Sequence, residues 1–234
     1  MRIKAFKTRV FEEDENLTDF ILEYLQALPE ESVLALTSKI VSLSEGRTTS
    51  IKERKSLIKK ESNFSIPNSW FTIKDNMVMA AAGVDESNGN GKLILLPKNS
   101  YKSAENIRRA LKKKFKLKKL GVLITDSGFL PLRRGSIGIA LGYAGFKGVK
   151  NYIGTKDLFS RKLKYTRANI ADSLATAVVL SFGEGSEQKP LALITGAPVV
   201  FSGKIDKKEM NINPKEDIYH PLLKKLKNEK KKKK

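Results

Sequence analysis

Apolar and polar residues alternate over residues 2–11, the period-two signature of a strand with one buried face. The period then changes. Leu17, Phe20, Ile21, Tyr24 and Leu25 fall on one side of a 3.6-residue helix, with Asn16 as its N-cap and Pro29 as its stop. The apolar run 33–36 predicts a buried strand that delivers Thr37-Ser38-Lys39. Segment 42–66 is polar and charged and reads as a loop with a helix near 51–60. Segments 70–73 and 77–82 flank Lys74-Asp75-Asn76 as the arms of a hairpin. A short strand over 93–96 ends at Pro97. Ala104, Ile107, Leu111 and Phe115 then recur at helical spacing and turn the cations of segment 102–119 outward. Strands follow at 121–125 and 136–141. A long helix over 165–182 carries Ile170, Leu174, Ala177 and Val178 on its apolar stripe, with Gly183 as C-cap. Short strands at 191–195 and 199–201 complete the pattern.

Hairpins and helices without strict strand–helix alternation predict an α+β fold, with mixed sheets, hairpins and a few helices. Residues 1–222 are expected to form one domain and residues 223–234 a disordered, Lys-rich tail. No internal repeat is visible.

Composition narrows the chemistry. The chain has 234 residues, and its 40% hydrophobic content is enough for a core. Cysteine is absent, which removes disulfides, thiolate zinc sites and thiol nucleophiles. His220 is the sole histidine, too little for a multi-histidine metal site. Carboxylates, hydroxyls, backbone amides and cations remain, an inventory that favours metal-assisted phosphoryl transfer over nucleophilic hydrolysis. No stretch has the length and apolarity of a membrane span, and the first residues lack a signal-peptide core, so a soluble cytoplasmic protein is expected. The net charge is +20, of which residues 224–234 carry +7 and residues 102–119 carry +8. Basic runs attract polyanions at modest salt. These runs lack the interleaved aromatics of single-strand binders, so nucleic acid is the less favoured partner.

Two stretches stand out from this background. Gly83-Val84-Asp85-Glu86-Ser87-Asn88 and Ile124-Thr125-Asp126-Ser127 each bring an aspartate to the end of an apolar run, with Arg133-Arg134-Gly135 after the second. Two strand-end acids with arginines nearby suit a divalent metal holding a phosphate chain. The glycine-rich segment 83–92 lacks the spacing and the Ser/Thr of a Walker A loop. Each stretch also reads as an ordinary turn or cap when taken alone.

The order of these motifs along the chain resembles the coenzyme F420:L-glutamate ligases (F420-0 γ-glutamyl ligases). The resemblance runs through Thr37-Ser38-Lys39-Ile40-Val41-Ser42, Glu45-Gly46-Arg47, the Asp85 and Asp126 motifs, Leu95-Leu96-Pro97, Arg134-Gly135 and Ile139-Ala140-Leu141-Gly142. It continues through Lys156-Asp157-Leu158, Ala171-Asp172, Gly183-Glu184 and Thr195-Gly196. It implies a GTP-dependent amide ligase with an α+β fold, acting as a homodimer with magnesium or manganese. A carboxylate acceptor such as coenzyme F420-0 would be phosphorylated and then attacked by L-glutamate. By the same similarity Asp85, Asp126, Ser127 and Glu184 hold the metal ions, with Asp85 and Asp126 the central catalytic pair. Ser38, Lys39, Asn88 and the Gly183-Glu184-Gly185 loop meet the nucleotide.

Four positions depart from the family pattern. Leu43 stands where the family has a lysine, Phe129-Leu130 replaces Gly-Arg, and Asp172-Ser173 replaces an Asp-Glu pair. Thr8-Arg9-Val10-Phe11 replaces an apolar nucleotide segment. The retained acids favour a working site. The substitutions keep two alternatives open, a non-catalytic relative that binds nucleotide or metabolite and a basic nucleic-acid-binding protein.

Overall fold

A five-stranded mixed sheet organises the molecule, and its strand order decides where two distant motifs can meet. The computed structural model describes residues 1–224. In chain order the elements are β1 (Arg2–Phe6), α1 (Leu17–Tyr24), β2 (Ser32–Thr37), α2 (Ser38–Ser44), β3 (Thr48–Ser50), α3 (Arg54–Glu61), β4 (Phe64–Ser65), β5 (Phe71–Lys74) and β6 (Met77–Ala80). They continue as β7 (Lys92–Ile94), α4 (Ser100–Phe115), β8 (Leu120–Phe129), β9 (Ser136–Ala144), β10 (Val149–Asn151), β11 (Arg167–Asn169), α5 (Ile170–Phe182) and β12 (Leu191–Thr195), with 3-10 turns at Ile51–Glu53 and Ala81–Gly83. The central sheet has the order β1-β12-β2-β8-β9, and smaller sheets pair β3 with β7, β10 with β11, and β4-β5-β6. β2 and β8 run parallel, Thr37 opposite Thr125, while the other pairs of the central sheet are antiparallel. The architecture is α+β, as the pattern of the chain predicts.

Alternation along β2 and β8 builds two cores. Leu34, Leu36, Val122 and Ile124 join the cluster packed by α1 and α4, and Val33, Ala35 and Leu123 face α5 on the other side. Burying each larger side chain contributes about 1.5–3 kcal/mol. A β-bulge interrupts the β8–β9 register between Ile124 and Thr125, leaving Leu141 without an opposed partner. The alternation therefore flips, and Leu141 and Gly142 both face the α4 layer. A Cβ on Gly142 would lie 2.5 Å from the Ser100 carbonyl carbon, so only glycine lets α4 start this close to β9.

Several predicted boundaries shift for local reasons. The first strand ends at Phe6 because its pairing with β12 covers residues 2–6, and beyond them Thr8 N–H makes a bond to Gln188 O outside β12. The helix expected near 51–60 is present as the 3-10 turn Ile51–Glu53 and α3, whereas the loop expected over the rest of 42–66 contains the end of α2 and the short strands β3 and β4. The long C-terminal helix begins at Ile170, capped by the Asn169 side chain on Asp172 N; residues 167–169 belong to β11. Segment 199–201 makes only one bridge, Phe146 to Phe201. The cations of α4 do not all face outward: Arg108 is buried, its Nε donating to Leu120 O at 2.9 Å and its Nη1 paired with Glu105. The predicted tail lies outside the described residues from residue 225 onward.

Candidate active site

Ser38 and Asp126 are neighbours because β2 and β8 are parallel neighbours. β2 ends at Thr37, paired with Thr125, and the next residue on each strand is Ser38 and Asp126. In open α/β sheets ligands bind beyond the carboxyl ends of parallel strands, and the parallel pair of the central sheet places Ser38 and Asp126 in the corresponding position. β8 does not stop there, however. It continues to Phe129 along β9, with Asp126 opposite Ile139, so this acid lies within a strand and not at the mouth of a loop. Arg133 and Arg134 sit in the tip of that hairpin, past the Phe129–Ser136 rung, and are exposed. The arginines expected beside the acids are therefore displaced along the hairpin.

Asp85 arrives by a different route. Ala81 and Ala82 both adopt left-handed backbone (φ 50° and 55°), a conformation unusual for alanine. Their turn re-aims the chain after β6 so that Asp85 bridges Ile94, with Asp85 N–H to Ile94 O at 2.9 Å and the reverse bond at 2.8 Å. β3 pairs with the other edge of Ile94 through Thr48. Asp85 thus rests on β7, which rests on β3, which follows directly from α2.

Lys39, the second residue of α2, closes the gap between the two motifs. Its ammonium donates to Asp85 Oδ2 at 2.6 Å, to Ser87 O at 2.7 Å and to Ser87 Oγ at 2.9 Å. Ser87 Oγ in turn donates to Asp85 Oδ2 at 2.7 Å. Burial pushes the Asp85 carboxyl up, but the hydrogen bonds from Lys39 and Ser87 outweigh it and hold the group below its ordinary 3.8. Asp126 goes the other way. Burial raises it to about 6, against the pull of the Ser127 backbone amide, the Lys39 charge and the Ser38 hydroxyl, and the negative charge of Asp85 adds to the rise. The two acids therefore feel each other and share one cation, with proton affinities driven apart. Neighbouring acids with opposed proton affinities are a pattern found at acid–base and metal sites.

Ser127 extends the cluster toward α5. Its hydroxyl donates to Glu184 at 2.8 and 3.1 Å, and Ser136 Oγ donates to the same carboxylate at 2.9 Å. Glu184 follows Gly183, whose φ of 81° caps α5; a Cβ on Gly183 would meet the Glu187 carboxylate at 2.2 Å. Gly185 N–H binds Glu187 Oε2 at 2.8 Å, which folds the 183–187 turn on itself. Asn88 lies exposed with left-handed backbone in the turn between Asp85 and β7. Ser136 was not legible as a site residue; only the β8–β9 register brings it to Glu184.

The site thus holds two linked groups, Asp85–Lys39–Ser38–Asp126 and Ser127–Glu184–Ser136. Among the described residues, no three His, Cys, Asp or Glu side chains converge closely enough to cage a metal alone. The oxygen-only donor set still fits magnesium or manganese, which commonly take one or two carboxylates and complete their shell with substrate phosphates and water. Two other surface depressions, one beside Tyr24 and Pro29 and one beside Glu31 and Phe201, contain none of these side chains. The basic end of α4 also lies away from the site: Arg108 meets Leu120 at the start of β8, roughly 20 Å of strand from Asp126.

Comparison with known proteins places the chain in a family. The family model described as F420-0:Gamma-glutamyl ligase matches residues 55–196. A Coenzyme F420:L-glutamate ligase of Methanococcus maripaludis is 38% identical over 191 residues, covering 82% of this chain and 75% of the relative. The protein of that name from Methanocaldococcus jannaschii is 36% identical over 197 residues, covering 84% and 76%. That from Archaeoglobus fulgidus is 30% identical across 96% of this chain and 99% of its own length.

Proposed function

This chain belongs to the F420-0:gamma-glutamyl ligase family, and from that premise we propose that it is a GTP- and divalent-metal-dependent ligase joining L-glutamate to a carboxylate acceptor such as coenzyme F420-0. The observation that carries the reading is the meeting of Asp85, Lys39, Ser38 and Asp126 beyond the carboxyl ends of β2 and β8.

The reaction divides into two displacements. An acceptor carboxylate oxygen attacks the γ-phosphorus of GTP, the bond to the β-phosphate oxygen breaks, and GDP leaves with an acyl phosphate behind. The glutamate nitrogen then attacks the acyl carbon, the bond to phosphate breaks, and the nitrogen gives up a proton as the amide forms. Phosphoryl transfer asks the protein mainly for alignment and charge compensation. Asp85, Asp126, Ser127 and Glu184 would hold the metal, which when bound supplies positive charge to the phosphate oxygens. Lys39 offers a second cation whose reach is set by Asp85 and Ser87. That placement answers the loss at Leu43, because it puts an ammonium beside the acids from a different position on α2. Ser38, Asn88 and the Gly183-Glu184-Gly185 turn would meet the nucleotide with hydroxyl, amide and backbone donors.

A homodimer belongs to the same proposal. Leu158, Phe159 and Tyr165 are exposed on the arm joining β10 to β11, apolar surface of the kind a second copy covers. No described helix is long and apolar enough to cross a membrane.

Isothermal titration of GTP with manganese tests the reading. Wild type should bind with a heat that depends on the metal, and Asp126→Ala should lose most of it. Equal, metal-independent heats in both proteins would remove the basis for the assignment.

A further inference from the structure

Trp70 is the sole tryptophan of the chain, and it stands 62% exposed immediately before β5. Single exposed apolar residues are common, but three contacts set this one apart. The Arg54 guanidinium lies over its ring, 5.7 Å from the centroid. The same guanidinium pairs with Glu86 at 2.9 Å, and Glu86 is the residue after Asp85. Arg54 Nε is buried with no hydrogen-bond partner. The Trp70 carbonyl also accepts from Ala81 N–H at 2.7 Å, which fixes the ring's backbone four residues from Asp85, within about 14 Å of chain.

We infer that Trp70, backed by Arg54, is a stacking platform for the flat heteroaromatic ring of a phosphate-bearing substrate whose anionic end reaches Lys39 and Asp85. The inference rests on the ligase reading and deepens it, because both GTP and the F420-type acceptor carry such a ring. An indole held on one face by a cation and open on the other offers a rigid surface at little entropic cost. α3, which carries Arg54, also exposes Lys55 and Lys59, positive charge suited to a polyanionic ligand. Arg54 couples the platform to the acids through Glu86, so the ring's seat and the phosphate's seat belong to one surface.

Because Trp70 is alone, intrinsic fluorescence reports on this position without interference from another indole. Wild-type protein is titrated separately with GTP plus manganese and with coenzyme F420-0, and the same titrations are followed by calorimetry. The stacked ligand quenches Trp70 emission with the saturation profile seen in the heat, and the arm that responds identifies which ring stacks. Trp70→Ala weakens that ligand roughly five- to hundredfold, and Trp70→Phe, which keeps a flat face, restores most of the affinity. Thermal melts of both variants confirm the fold. Binding of both ligands by heat, with unchanged emission and with unchanged affinity in Trp70→Ala, overturns the platform while leaving the ligase reading intact. Emission that follows protein concentration and not ligand also overturns it, by showing a contact between copies. Absence of heat with either ligand sinks the ligase reading and the platform with it.

Discussion

Glu61→Ala is the perturbation whose cost the structure defines most closely. Glu61 Oε1 accepts from Arg47 Nη2 at 3.0 Å, and Oε2 accepts from Lys74 Nζ. Lys74 is 8% exposed and the Glu61 side chain 15% exposed, so the three charges depend on one another more than on water. Removing the carboxylate leaves a buried ammonium without its anion. Breaking such a pair costs about 3–5 kcal/mol when fully buried, and the remaining exposure argues for the lower end, about 3 kcal/mol. For a chain of this length that lowers Tm by roughly 6–12 °C. The effect should reach the site, because Arg47 Nε also donates to Leu96 O at 3.0 Å and Arg47 O accepts from Leu95 N at 2.9 Å, next to β7, against which Asp85 rests. pH supplies a second readout. Burial pushes the Glu61 carboxyl up, but the hydrogen bonds from Lys74 and Arg47 prevail and hold it below 4.5. A depressed folded value means the stabilisation is fully present above 4.5 and is lost as pH falls through the folded value. Melts of wild type and Glu61→Ala, followed by circular dichroism, should therefore differ most near neutrality and converge in acid. Melting points within 2 °C of each other at pH 7, a limit of roughly 0.5–1 kcal/mol, would refute the reasoning, as would a gap that widens as the pH is lowered.

Other consequences are checked by simpler measurements. Lys39→Met removes three donors from the Asp85 loop and a positive charge from beside Asp126, and nucleotide affinity should fall about tenfold by calorimetry, whereas Lys39→Arg should retain part of it. Manganese binding should weaken as pH drops below about 6, approaching tenfold per unit, because Asp126 must release its proton to bind a cation. Without ligand, the sign at Asp126 is opposite to that at Glu61: a folded value raised above 3.8 means stability at this group declines as pH rises between 3.8 and about 6, which Asp126→Asn should abolish in a pH-resolved melt. Gly138→Ala would place a Cβ 2.2 Å from the Ala175 carbonyl oxygen, and the required shift of α5 should lower stability by about 1–3 kcal/mol in urea titration.

The sequence was most legible where a pattern was long and local. Asn16 capping α1, the β5–β6 hairpin around Asp75-Asn76 and the Gly183 cap of α5 are all present, because each depends on a few adjacent residues. The strands β3, β4, β10 and β11 have two or three residues each, too few for a period to show. α2 was hidden for another reason: its N-cap Thr37 makes no side-chain bond, and Ile40 and Val41 are buried while Ser38 and Ser42 are buried too, so no polar face announces a helix. The extent of β8 was missed because Thr125, Asp126 and Ser127 break the apolar run while the backbone continues to pair with β9. For the site, the choice of Asp85 and Asp126 came from their motifs. Their joining through Lys39 came from the parallel pairing of β2 with β8 and from the Asp85–Ile94 bridge, long-range register that periodicity does not carry. Trp70 and Arg54 gave no local sign of working together, because fifteen residues of helix and hairpin separate them.

The most direct measurement is product formation by mass spectrometry with GTP, manganese, L-glutamate and coenzyme F420-0. Wild type should yield the glutamyl amide together with one GDP per bond formed, and Asp85→Asn, Asp126→Asn and the double variant should all lose it to a similar extent, as two acids serving one ligand require. Full turnover by Asp126→Asn, or losses in the two single variants that simply add in the double, would contradict a shared site.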